Sequence, residues 1–253
     1  MARRVPGAAA LAALLVSLTA CGGPGTWDRA GFPQGVTKEA GIIQSLWNGA
    51  WIASLAVGVV VWGLILWACA FHRKRKNSGD ALPPQVRYNL PIEILYTTVP
   101  IIMVAVFFYF TARDESTITA VSKNPDVKVH VEGFQWSWRF TSESGGKTVS
   151  VVGTPAKRPE LVLPMNKSVQ FELTSPDVAH SFWVPAFLFK RDVLPGVKNV
   201  FEIHTMTLDK PATFAGRCAE LCGVDHSRML FTVKLVPQAE YDQYVNSQAG
   251  SAQ

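Results

Sequence analysis

Apolar positions follow two regimes along the chain. Up to residue 112 they form long unbroken runs, and from about Val127 they form short runs cut by turn residues. Ala8–Ala20 is apolar but too short to span a bilayer. Ser45–Phe71 runs for 27 residues without a charge, enough for a tilted membrane helix, which needs roughly 20. Ile94–Ala112 is a second such run, broken only by Pro100, and a single proline is tolerated in a membrane helix. Arg113, Asp114 and Glu115 end it. Beyond lie candidate strands at Val127–Val131, Gln135–Phe140, Thr148–Val152, Glu160–Leu163, Ser168–Thr174, Ser181–Val184, Val200–His204, Thr213–Gly216 and Leu230–Val236. Gly145-Gly146, Thr154-Pro155, Pro164-Met165-Asn166 and Pro195-Gly196 punctuate them. Many short strands at close spacing predict an all-β sandwich or barrel. A short helix is expected after Pro237, with 241–253 as a flexible tail.

Charge orients these elements. Residues 1–20 have the form of an export signal, with Arg3 and Arg4 ahead of the apolar run. The run ends in Leu18-Thr19-Ala20-Cys21 before Gly22-Gly23, which resembles the lipobox of bacterial lipoproteins, where the cysteine becomes the lipidated first residue. A plain signal peptide with a stray cysteine is the alternative. Residues 21–44 then form an outer N-terminal segment, and residues 45–112 a transmembrane hairpin with helices over 45–71 and 94–112. The connecting loop, 72–93, holds five Lys/Arg, four of them consecutive at Arg73–Lys76, and the positive-inside rule places it in the cytoplasm. The β-rich part, 113–240, then faces outward from a bacterial cell membrane. Trp47 and Trp51 toward one end of the first run, and Trp62 and Trp67 toward the other, suit interfacial belts. The formal charge of +5 is local: from Arg113 onward fifteen Lys/Arg meet fifteen Asp/Glu. The basic surplus lies near the membrane segments and does not indicate nucleic acid.

The densest chemistry is Cys218-Ala-Glu220-Leu-Cys222-Gly-Val-Asp-His226-Ser-Arg-Met229, with His180 upstream in His180-Ser-Phe-Trp-Val-Pro185. Thiolate, imidazole and thioether together form a copper set; zinc has no use for the methionine, and C-x3-C is not the short zinc knuckle. A second cysteine beyond the single one of a blue copper site allows two bridging thiolates and two copper ions. Outside the cytoplasm the same two cysteines could instead pair as a disulfide, leaving His226 and Met229 as bystanders. Cys69, His72, His130, His204, Met165 and Met206 carry no paired ligand pattern.

On these residues the chain resembles subunit II of cytochrome c oxidase over roughly residues 40–245. The resemblance implies a membrane-anchored, cupredoxin-like Greek-key β-barrel carrying the dinuclear copper centre called CuA. By matching position, Cys218 and Cys222 would bridge both coppers. His180 and His226 would each bind one copper, Met229 would bind one, and the Glu220 carbonyl would bind the other. The Glu220 side chain would reach a magnesium or manganese ion shared with the catalytic subunit. Gly133-Phe-Gln-Trp136-Ser-Trp138 resembles the family's aromatic segment, with Trp136 accepting electrons from the donor; both tryptophans are alternatively core aromatics. Lys190-Arg-Asp192-Val-Leu-Pro-Gly196 resembles a segment facing the catalytic subunit, and Asp192 is equally well a turn residue. Pro91-Ile-Glu93 resembles the segment whose glutamate marks the entrance of a proton path; an interfacial anchor is the alternative for Glu93.

The implied function is electron uptake for a proton-translocating oxidoreductase. Cytochrome c would reduce the copper centre, which would pass electrons to haem in catalytic subunit I for reduction of oxygen to water. The absence of C-x-x-C-H leaves this chain without a haem attachment site of its own. A quinol oxidase subunit II would lack the copper ligands. A nitrous oxide reductase would need a large catalytic domain, and a copper-storage lipoprotein would not need two membrane helices. The charge balance of the outer part lacks the acidic surplus that steers a diffusing basic cytochrome c. The expected donor is therefore held nearby, as in a membrane-tethered cytochrome c domain, with Asp177 a candidate for a local docking face.

Overall fold

A computed structural model of the protein describes residues 28–73 and 85–249. Helix α1 (Lys38–Phe71) starts at Thr37, whose Oγ1 accepts from the Ala40 amide at 3.1 Å, satisfying one of the free N–H groups of a helix start. Helix α2 (Leu90–Ile118) starts at Asn89, whose Oδ1 accepts from the Ile92 amide. Pro91 lies in its first turn, where a missing N–H costs nothing. Both helices are longer than the charge-free runs, extending at both ends of α2 and at the start of α1. Both are long and apolar enough to cross a membrane, and their most apolar stretches are not buried within the chain. The signal and lipobox residues and half of the basic loop, 74–84, lie outside the described residues.

Ten strands follow: β1 (Val127–Phe134), β2 (Ser137–Ser144), β3 (Lys147–Val152), β4 (Glu160–Pro164), β5 (Ser168–Thr174), β6 (His180–Val184), β7 (Phe189–Val193), β8 (Asn199–His204), β9 (Ala212–Cys218) and β10 (Leu230–Val236). They form two five-stranded sheets in the orders β3-β2-β1-β5-β8 and β4-β10-β9-β6-β7. Pairing is antiparallel except for β1 with β5 and β10 with β4. The result is the expected cupredoxin-like two-sheet architecture. β7 was absent from the sequence expectation because Lys190, Arg191 and Asp192 interrupt its apolar pattern.

The alternation along β1 buries Val127, Val129 and Val131, and β5 answers with Val169, Phe171 and Leu173. Between the sheets, Phe171 stacks on Phe201 at 4.8 Å and Phe182 on Phe231 at 4.9 Å, with Trp138 and Phe140 edge-on to Phe231. Such ring pairs contribute about 0.5–1.5 kcal/mol each beyond their buried area.

Helix α3 (Gln238–Ala249) is the helix expected after Pro237, and it runs through residues expected as tail from 241. Tyr241 and Val245, four residues apart on one helix face, are buried in the core, and Tyr244 packs beside them. The anchor is tied to the sandwich through β8. Glu39 in the first turn of α1 takes the His204 amide at 2.9 Å and Nδ1 at 2.7 Å. Glu202 takes the amide and hydroxyl of Ser122, just past α2. The Val36 carbonyl accepts from the Met206 amide.

Gly216 in β9 tests the core directly. A Cβ there would lie 2.1 Å from Phe231 Cε2, so Gly216→Ala must displace the stacked ring. Overpacking of this kind costs about 1–3 kcal/mol. Denaturant unfolding of the purified chain should show a clear loss of stability for Gly216→Ala, while Gly146→Ala, in an open turn, should show a smaller one.

Candidate metal centre

Strands β6 and β9 set the site. Phe182 lies opposite Cys218 in their register, and the Ala219 amide bonds the Ser181 carbonyl at 3.0 Å. This places His180, the first residue of β6, beside the end of β9. The β9–β10 connection closes at its base by a 3.0 Å bond from the Cys218 amide to the Met229 carbonyl. Within the loop, a single helical turn over His226–Arg228 folds His226 back toward Cys222. Gly223 makes this path possible: its φ is +121°, and a Cβ would press on Trp136 Nε1 at 3.0 Å.

The donors converge. Cys218 Sγ lies 3.9 Å from His180 Nδ1, 3.9 Å from Cys222 Sγ and 3.2 Å from the Glu220 carbonyl oxygen. Cys222 Sγ lies 3.5 Å from His226 Nδ1 and 3.7 Å from Met229 Sδ. His180, Cys218, Cys222 and Met229 are buried, His226 is half-buried, and the Glu220 side chain is exposed. Two sulfurs bound to one metal at about 2.3 Å in near-tetrahedral geometry lie about 3.8 Å apart, so the spacing fits shared metal ions. Both cysteines are free thiols in this structure.

Electrostatics favours a cation here. Burial raises the Cys218 thiol, but His180 and the Glu220 and Ser181 backbone outweigh it and bring the thiol down to about 7. Burial and the neighbouring Cys218 charge push Cys222 up to about 12. The protein alone therefore accommodates one thiolate and resists the second, and a metal would supply the positive charge that holds both.

Around the donors lies a hydrogen-bonded shell. Asp177 Oδ1 meets His180 Nε2 at 2.9 Å and accepts from the Val178 amide, while Oδ2 accepts from the Gln135 amide at 2.7 Å. Burial disfavours ionised Asp177, but the Gln135 amide, His180 and the Val178 amide outweigh it and hold the carboxyl below its ordinary range. Asp177 thus orients the ring that points Nδ1 at Cys218. Trp136 Nε1 and Gln135 Nε2 both donate to the Cys222 carbonyl, at 3.0 and 2.8 Å. Trp138 is fully buried, edge-on to His180. The Asp177–His180 link was missed as such in the sequence, although the Asp-x-x-His spacing carried the signal. Glu93 lies at the far end of α2, where its Oε1 accepts from the Asn89 amide.

Residues 154–236 match the family model described as cytochrome C oxidase subunit II, periplasmic domain. A probable cytochrome c oxidase subunit 2 of Streptomyces avermitilis is 49% identical over 281 aligned residues, spanning 96% of this chain and 87% of the relative. The chain belongs to the cytochrome c oxidase subunit II family. A Mycobacterium bovis cytochrome c oxidase subunit 2 is 37% identical, over 96% of this chain and 81% of its own length. The periplasmic domain of subunit II of Bradyrhizobium japonicum cytochrome oxidase superposes with a TM-score of 0.45 at 28% identity, covering 53% of this chain and all of that one. As a subunit II, the chain works within a haem–copper oxidase beside other subunits.

The shell around this subunit II site gives a prediction. Asp177→Asn keeps the shape but weakens the orienting bond, and loss of such a partner typically costs about 10–100-fold in metal affinity. Competition with a copper chelator should show that loss, with the copper stoichiometry at saturation unchanged.

Proposed function

We propose that this chain is the electron-uptake subunit of a respiratory cytochrome c oxidase, carrying a dinuclear CuA centre. Cys218 and Cys222 would bridge the two coppers, with His180, His226, Met229 and the Glu220 carbonyl completing the ligand set. Held by these residues, copper would supply one-electron redox chemistry, the means by which the chain would accept electrons from cytochrome c and pass them to haem in the catalytic subunit. The observation that carries this reading is the convergence of two thiols, two imidazoles, a thioether and a carbonyl at a buried point on which Trp136 also lands. No such convergence would be needed by a subunit that lacks copper.

The chain's own residues do the remaining work. Asp177 holds the His180 ring in register for the metal. The sandwich excludes water from the thiolates. Trp136, half-buried with its indole nitrogen on the Cys222 carbonyl, gives an electron a short path to a ligand residue. The exposed Glu220 carboxylate is available for a magnesium or manganese ion at the contact with the catalytic subunit. The outer domain faces away from the cytoplasm, the basic loop faces into it, and Cys21 carries a lipid, as the charge pattern and lipobox support. Residues 1–20 are the export signal and residues 21–44 the outer N-terminal segment. The balanced charge of the outer part favours a donor held at the membrane over one captured by long-range steering.

Trp136→Phe tests the electron path. Rapid mixing with reduced cytochrome c should show slowed copper reduction with an unaltered copper spectrum, and the parental rate should change little with added salt. Unchanged uptake in the variant would remove Trp136 from the path, and a steep fall with salt would contradict the held donor.

Glu93 is proposed as the entrance of a proton path into the catalytic subunit, supported by its position at the start of α2. Its bond to the Asn89 amide also suits a helix cap. Glu93→Ala should slow oxygen reduction at the proton-coupled step, with copper reduction by cytochrome c unchanged. Parental turnover across the accessible pH range would leave Glu93 as a cap alone.

A further inference from the structure

Helix α1 is longer than a membrane requires. Its 34 residues rise about 51 Å at about 1.5 Å each, against a hydrocarbon core of about 30 Å. The segment before it shows where the excess lies. Residues Arg29–Phe32 form a tight turn, with the Phe32 amide bonded to the Arg29 carbonyl at 3.0 Å. Ala30 and Gly31 both have positive φ, 46° and 88°. This turn is clipped to the side of α1. Asn48 Nδ2 donates to the Asp28 carbonyl at 3.2 Å, Gln44 Nε2 to the Arg29 carbonyl at 3.1 Å, and Trp47 Nε1 to the Ala30 carbonyl at 3.0 Å. The Phe32 ring stacks on Trp47 at 4.6 Å, and Trp51 meets Trp47 edge-on at 5.9 Å.

Irregular backbone exposed to lipid does not occur within hydrocarbon, and the charges of Asp28 and Arg29 are costly there. Asp28 is mostly exposed and sits level with Asn48. The hydrocarbon must therefore begin beyond Asn48, later than the charge-free run at Ser45 suggests. Ile52–Phe71 is 20 residues, about 30 Å of helix, which equals the core thickness. On α2, the 19 residues between Glu93 and Arg113 give about 28 Å.

We infer that the Arg29–Phe32 turn and the Gln44–Trp51 stretch of α1 form a collar seated in the headgroup zone of the outer leaflet. The turns of α1 before it, from Lys38, stand above the membrane as a stalk about 9 Å high that carries the outer domain. Phe32, Trp47 and Trp51 supply the aromatic rings favoured at that depth. The clip also brings the chain at Asp28 back down beside the stalk, to the level of Asn48. This inference rests on α1 being a membrane helix and is independent of the copper assignment.

The test uses the full chain in phosphatidylcholine nanodiscs, in a Cys69→Ala background with the parental label signal subtracted. Nitroxides are placed by Ser45→Cys, Gly49→Cys, Ile52→Cys and Leu55→Cys. A Cβ at Gly49 meets nothing within 4 Å. Collision with oxygen and with a water-soluble nickel chelate reports depth. Labels at 45 and 49 should meet the chelate, and those at 52 and 55 should meet oxygen almost exclusively; hydrocarbon signatures at 45 overturn the inference. In a second arm, Trp47→Phe with Gln44→Ala keeps a ring but removes two clip donors. A nitroxide introduced by Asp28→Cys should then lose its fixed depth and gain mobility, and an unchanged signal would show that the clip does not hold the chain at the surface.

Discussion

Cys218 and Cys222 sit side by side away from water, and β6, β9 and the β9–β10 loop are arranged around that pair. Alone, the pocket supports ionisation of Cys218 and opposes that of Cys222. The 3.9 Å separation of the sulfurs is therefore a charge problem that the fold poses and a bound cation would solve. The fold poses it rigidly. The β6–β9 register fixes His180 against Cys218, the 3.0 Å amide bond at the loop base fixes Met229, and Gly223 lets the loop turn beneath Trp136. The aromatic layer behind, from Trp138 to Phe231, gives the ligands an unyielding floor.

The residues whose chemistry is local were legible in the sequence. Soft donors crowded into twelve positions cannot be mistaken for packing, and strands such as Ser168–Thr174 and Leu230–Val236 have the observed limits because their alternation is clean. What was hidden depended on partners far along the chain. Asp177 looked like a surface acid until β1 brought the Gln135 amide to its free oxygen. β7 was masked by Lys190, Arg191 and Asp192, charges that suit the edge position it occupies. His204 carried no ligand pattern, yet it receives Glu39 from 165 positions away. Tyr241 and Val245 read as tail because a core contact of two side chains leaves little imprint on a polar segment.

The membrane end shows the same limit. A charge-free run marks a span but not its edge, since Gln44 and Asn48 are neutral in the sequence and hydrogen-bond to irregular backbone in the structure. Above that edge, α1 and the segment after α2 both dock on β8, through Glu39 and Ser122. The β-sandwich is thereby joined to the two helices at two points, which would suit the proposed copper centre by holding it in one orientation to a donor and to the catalytic subunit.

Copper content measured together with electron paramagnetic resonance on the purified chain separates a dinuclear centre from the alternatives. A CuA centre gives two copper ions per chain and a mixed-valence spectrum with the unpaired electron shared between both. One copper with a single-ion spectrum, or a metal-free chain with Cys218 and Cys222 joined as a disulfide after copper exposure, would contradict it.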